Sequence, residues 1–148
     1  MAASKWQVYN EAKKYICAGT VDLDTAAIRM KIVKGTEAST VSNYTRSSFA
    51  SSTGTGLTFS GATTVRTPGA VSVRMSSGSV MVFDFTAVVF TASGSLTSLQ
   101  YAVIGVSAGV CIAWCKLSSA AFALTAANSL TITPAAAGVF TITGGTTA

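Results

Sequence analysis

Histidine is absent from this 148-residue chain. That removes the general base of a Ser–His hydrolase, the commonest metal ligand, and the one ordinary side chain that titrates near neutral pH. Charge is scarce as well, at 10% of residues against about 25% in an average soluble domain. It is also unevenly spread: after Asp84 the only charged residue is Lys116. The surface must therefore be finished largely with Ser, Thr, Gly and Ala. A chain that repels its neighbours so weakly suits life packed against other protein better than life as a concentrated free monomer. The net charge of +5 raises nucleic acid as a partner, but the basic residues do not cluster. Lys13-Lys14 is the only adjacent pair, Arg29, Lys31, Lys34, Arg46, Arg66 and Arg74 are scattered, and no aromatic platform interleaves with them. No nucleic-acid partner is expected.

The opening, MAASKWQVYNEAKKYICAG, has neither a long apolar core nor a cleavage pattern, so no secretory signal is expected and the three cysteines read as reduced thiols. Four residues of a strand span about 13 Å, beyond the ~7 Å Cα separation a disulfide bridges, so Cys111 and Cys115 cannot pair if their segment is β. Cys17 can find a partner only through the fold.

What the chain does have is apolar residues, 49% of the total, on a length suited to one domain over residues 1–148. Residues 1–20 read as an arm carrying a short helix: Asn10 can cap it, Glu11 suits its first turn, Ala12, Tyr15 and Ile16 form its apolar stripe, and Gly19 can end it. In TAAIRMKIVKG, Ile28, Met30 and Ile32 alternate with Arg29 and Lys31, which predicts a half-exposed strand. Residues 35–56 are rich in Ser, Thr and Gly and predict a long loop, with Val41, Tyr44 and Phe49 as anchors for a neighbour or for the domain's own surface. From Leu57 onward come short β-rich runs bounded by turn residues: LTFSG, TTVRT, AVSVRM, SVMVFDFTAVVFTA, SLQYAVIGV, VCIAWCKL, SLTITP and GVFTIT. This spacing predicts an all-β fold, a β-sandwich or jelly-roll-like barrel with a short N-terminal helix and one long loop. AAFALTAAN reads as a loop.

The segment YAVIGVSAGVCIAWC, residues 101–115, admits three readings. As a G-x-S-x-G elbow it lacks a histidine, has no lysine nearer than Lys116, and is followed by the β-forming Val110-Cys111-Ile112-Ala113-Trp114 instead of a helix. As a G-x-x-x-G membrane helix it is too short, since crossing a bilayer takes roughly 20 residues. No membrane association is expected. As a turn between two buried strands it fits, and both flanking runs are apolar on both faces, as strands are when their own core covers one side and a neighbouring subunit the other.

Other chemistry is thin. Asp22 and Asp24 fall short of a calcium loop and read as a solvated turn. Asp84, inside VFDFT, suits a structural ion pair with Arg66 or Arg74. GTGLTFSG lacks the lysine and following helix of a phosphate loop, and Cys111 and Cys115 have the wrong spacing for zinc. No catalytic residue, cofactor, metal or small-molecule substrate is expected, and the chain is not read as an enzyme.

Three stretches carry a resemblance. YNEAKKYICAGTVDLDTAAIRMKIV, VFDFTAVVFTASGSLTSLQYAVIG and SLTITPAAAGVFTIT resemble small virion structural proteins from the head-gene cluster of tailed bacteriophages. Such proteins commonly open with an N-E-A/G-K helix and a D-x-D before a strand. They continue with an Asp-containing strand, a Ser/Gly turn and a Y-A-V-I strand, and close with a pair of strands. The loop at 35–56 is unmatched, and the family's second half is usually acidic where this one is almost uncharged. The resemblance implies a capsid cement or decoration protein on the virion surface, assembled in the host cytoplasm. Its partners would be the major capsid protein and neighbouring copies of itself in a homo-oligomer. Trp6, Tyr9 and Tyr15 of the arm and Val41, Tyr44 and Phe49 of the loop are the expected contacts. A head-fibre, tail or neck component, or a glycan-gripping adhesin, is the alternative.

Overall fold

The computed structural model describes residues 4–24, 26–37, 65–78, 80–106 and 110–143. Half of them lie in antiparallel strands, with one short α-helix, so the described part of the chain is all-β. LTFSG, the loop beyond Glu37, and with it Val41, Tyr44 and Phe49, lie outside the described residues.

The largest sheet has the order β1 (Gln7–Val8), β8 (Cys111–Lys116), β7 (Leu96–Val106), β2 (Ile28–Lys34), β3 (Val65–Arg66). A further strand, β9 (Phe122–Leu124), pairs with the beginning of β7. It forms within the stretch AAFALTAAN, where the sequence predicts a loop; the pairing partner, supplied by tertiary structure, overrides weak local preference. Along β2 the expected alternation holds, with Ile28, Met30 and Ile32 buried and Arg29 and Lys31 half-exposed.

β7 and β8 flank the GVSAG motif and run antiparallel, with Val103 opposite Trp114 and Ala102 opposite Cys115. The Val106 N–H donates to the Val110 carbonyl at 3.0 Å. The motif thus joins two paired strands, and its central residues 107–109 lie outside the described set. No helix follows it, and Cys111 and Cys115 are free thiols within one strand.

One face of this strand pair points into the main core through Ala102, Ile104, Ala113 and Cys115. The other face needs no neighbouring subunit to bury it. Tyr9 and Ala12 of the chain's own N-terminal segment pack there against Val33, Tyr101, Val103, Cys111 and Trp114. This corrects the expectation that a second subunit covers that side. The cover is held by α1 (Asn10–Cys17), which Tyr9, not Asn10, precedes as cap residue. Asn10 is already helical, and its side-chain oxygen accepts from the Lys13 ammonium at 3.2 Å. The helix ends as expected at Gly19, with φ +69°. There the Gly19 and Thr20 N–H groups return to the Ile16 and Tyr15 carbonyls at 3.1 and 2.9 Å, a paired closure that satisfies the last turn.

The remaining strands form a two-stranded sheet, β10 (Ser129–Ile132) with β6 (Val88–Thr91), and a three-stranded sheet, β11 (Phe140–Thr143), β5 (Val80–Asp84), β4 (Ser72–Ser77). SVMVFDFTAVVFTA therefore forms two strands, interrupted at 85–87, where the Thr86 N–H leaves the line to donate to the Gly69 carbonyl. The two strands have one antiparallel companion segment: Phe140 to Thr143 face Phe83 to Val80, and Ser129 to Ile132 face Thr91 to Val88. Between these paired ends, residues 133–139 make a wide bulge, tied back by the Val139 N–H to the Phe83 carbonyl at 2.9 Å. Phe83, Phe85, Val88, Phe90 and Ile132 share one core with Ile28, Met30, Ile104 and Ile112 of the large sheet.

Candidate interaction surface

The residues with potential chemistry are dispersed. Asp84 takes the Phe85 N–H on Oδ1 at 2.9 Å, and its Oδ2 stands 3.9 Å from the Arg74 guanidinium. Of the two arginines considered, Arg74 is the ion partner, a consequence of β4 and β5 pairing antiparallel. The pair is solvent-touched, so it contributes at most about 1 kcal/mol. Asp22 accepts the Asp24 N–H at 3.0 Å, which makes VDLD a self-bonded turn leading into β2, while Leu23 between them is buried in the core. Among the described residues no group of three or more His, Cys, Asp or Glu is placed to hold a metal. Nor is any helix among them long and apolar enough to cross a membrane. Burial pushes the Cys115 thiol up to about 12, outweighing the opposing hydrogen bond with the Ala102 backbone, so it is a neutral packing group.

Of the expected contact residues, the arm supplies three with different fates. Trp6 is half-buried and meets the Phe85 ring edge-on, centroids 6.1 Å apart. Tyr15 is half-buried on α1. Tyr9 is 0% exposed and belongs to the packing between arm and sheet, so it presents nothing to a partner. This is a correction to its expected role. A tyrosine in an extended arm reads as an anchor, and only the fold shows that the arm lies back over its own hairpin.

The open surface lies elsewhere. A groove of about 890 Å³ runs along the outer side of β10, the bulge and β11, walled by Leu130, Ile132 and Phe140 and, from the other side, by Lys5, Trp6 and Leu117. Among the described residues, no strand pairs with the outer edge of either β10 or β11. Met75 and Ile142, both exposed, stand in register with Met81 across the three-stranded sheet and continue its apolar face. The signal for this surface was present in SLTITPAAAGVFTIT, an uncharged pair of strands, but nothing in the letters tells which side of a strand remains unpaired. No protein-family model, no curated protein and no solved structure matches the chain.

Proposed function

We propose that this chain is a structural component of a tailed-bacteriophage virion, a cement or decoration protein that binds the outside of the major capsid protein shell and neighbouring copies of itself. Three features support this reading: the likeness of residues 9–33, 82–105 and 129–143 to such head proteins, the near-absence of charge beyond Asp84, and the all-β build. The architecture it calls for is a β-sandwich, with the large sheet as one layer and the β4–β5–β11 and β6–β10 ribbons as the other, a rigid block able to bridge subunits of a pressurised shell. The observation that carries the proposal is a largely apolar groove, with Lys5 the one charged residue in its lining, beside strand edges that no described strand pairs, a surface suited to protein. A stable contact buries roughly 1,600 Å² in total.

The test is location and copy number. Particles decorated with an antibody against this chain and imaged by electron microscopy should show label over the whole capsid surface, in numbers that scale with the major capsid protein. Label confined to the neck, tail or fibres would replace the cement role with the alternative one, and unlabelled particles would remove the virion reading altogether.

A further inference from the structure

The N-terminal arm is tied to the large sheet more lightly than the central strands are tied to each other. β2 pairs with β7 along all seven of its residues, whereas β1 pairs with β8 along two. Outside that short ladder, the Ser4 N–H donates to the Lys116 carbonyl at 2.7 Å and the Tyr9 N–H to the Ile112 carbonyl at 3.0 Å. The Ser4 hydroxyl accepts from the Lys116 N–H at 2.8 Å. The seat is well filled at its centre, where Tyr9 and Ala12 are buried, and poorly filled at its margin. There a hollow of about 260 Å³ lies between Val8, Ile16 and Cys17 of the arm and Phe140 and Ile142 of β11. α1 has no side-chain cap, and Glu11 in its first turn holds Oε2 buried with no hydrogen-bond partner among the described residues. A buried polar atom without a partner carries a desolvation penalty that exposure to water removes. Just past the helix, Ala18, Gly19 and Thr20 are exposed, and a Cβ on Gly19 would meet nothing within 4 Å. At Leu23 the chain is fixed again, buried in the main core.

We infer that residues 4–17 form a strap that opens as one unit about Gly19 while the sheets stay folded. The two-residue ladder, the unfilled margin and the unpartnered oxygen all hold the free energy of this opening below that of global unfolding. Gly19, with open space around it, absorbs the change in backbone angles at the hinge. Tyr9 at the centre of the seat keeps the closed form dominant. Opening lifts Tyr9 off Val33, Tyr101, Val103 and Trp114 and frees one edge of β8, whose residues Cys111 to Cys115 are all buried in the closed form. An open row of N–H and C=O groups on an apolar strand pairs readily with other chains, and proteins guard such rows by covering them. The strap is a cover of this kind, so another strand can pair with the outer edge of β8 only while the strap is open. The device belongs to the chain alone and needs no virion setting.

Amide exchange and thiol labelling of the purified full chain under native conditions test the strap together. The Tyr9 and Lys116 N–H groups, both bonded between arm and β8, should exchange through one shared opening. That opening should be more populated, by about tenfold or more, than the one releasing the amides that pair β2 with β7. Its urea dependence should be a fraction of that for global unfolding, because less surface becomes exposed. Cys111 is 0% exposed and packs in the same cluster as Tyr9. Once Cys17 is blocked, Cys111 should react slowly with iodoacetamide through an opening of that same population. Exchange of the Tyr9 and Lys116 amides only together with the β2–β7 ladder would overturn the inference, because the arm would then leave only with the whole fold. So would labelling of Cys111 while the Tyr9 amide stays protected, which means that the end of the hairpin frays beneath a closed arm. Unequal openings at Tyr9 and Lys116 would overturn it too, since the arm would be unravelling piecemeal.

Discussion

At the scale of single residues, the three thiols and two glycines make the sharpest tests. Cys17 is exposed, whereas Cys111 and Cys115 are 0% and 2% exposed inside β8. Native protein should therefore present one thiol to an aromatic disulfide reagent at pH 8, and three only after denaturant is added. The raised value of Cys115 also fixes the sign of an alkaline effect. In the unfolded chain this thiol ionises near its ordinary 9.0, while in the fold it stays neutral up to about 12. Its contribution to stability is thus whole below pH 9 and is lost as pH climbs from 9 towards 12, by about 1.4 kcal/mol per pH unit. Denaturant midpoints should show a slope over that range that is steeper in the native sequence than in Cys115→Ala, whose other groups titrate alike. Gly138 and Gly19 both have positive φ, +82° and +69°, but differ in their surroundings. A Cβ on Gly19 meets nothing within 4 Å, while one on Gly138 would lie 2.6 Å from Val82 Cγ1 and 2.8 Å from the Phe83 carbonyl oxygen. Gly19→Ala should cost about 1 kcal/mol for the backbone alone, and Gly138→Ala roughly 2–5 kcal/mol once overpacking against fixed backbone is added. Equal losses in urea unfolding would mean the bulge yields where the structure holds it rigid.

At the scale of elements, the arm is the piece whose removal should matter most. Tyr9 fills the outer face of the β7–β8 pair, close to Trp114 and Tyr101, whose rings stand 6.0 Å apart. Tyr9→Ala should cost about 3–5 kcal/mol, the range for emptying a buried aromatic site, and should shift Trp114 emission to the red. A cost below about 1 kcal/mol would show that the arm contributes little to the fold. A second tie is Gln100, whose side-chain amide donates to the Ser118 and Ser119 carbonyls at 3.3 and 3.1 Å and so pins the link between β8 and β9. The arm also shows where the sequence could be read and where it could not. Strands such as Ile28–Lys34 and Cys111–Lys116 were legible because two-residue alternation or an unbroken apolar run is written locally, and α1 because Gly19 marks its end. Its cap is Tyr9 where the sequence points to Asn10, since any polar residue near a helix start reads as a cap until backbone angles are known. The break at 85–87 depends on Gly69, distant in sequence, and the cover over the hairpin depends on where the arm folds back. Long-range pairings of this kind leave no periodic trace, and an unpaired edge leaves none either.

At the scale of the whole molecule, the neutral segment from Ser129 to Thr143 is flanked by Lys5 and Lys13 of the arm, which line the hollows beside β10 and β11, and this placement predicts how association responds to salt. The described positive residues lie on the arm, on β2 to β4 and at Lys116, while the segment from Ser129 to Thr143 is neutral. Two copies carrying +5 each repel at long range wherever they meet, and that repulsion is screened within about 10 Å at 0.1 M salt and about 3 Å at 1 M. Contacts made of backbone hydrogen bonds and apolar burial are barely screened, and many salts strengthen the burial. Association of copies through a neutral face such as the β10–β11 edge should therefore hold or tighten as sodium chloride rises from 0.1 to 1 M, measured as the dissociation constant in sedimentation runs. Association through the basic surfaces would need a negatively charged partner and would weaken over the same range, steeply if that partner were nucleic acid. An association between copies that falls apart with added salt would mean that ion pairs hold it, and the neutral edge would then have to be abandoned as the contact, however well its hydrogen-bonding row invites one.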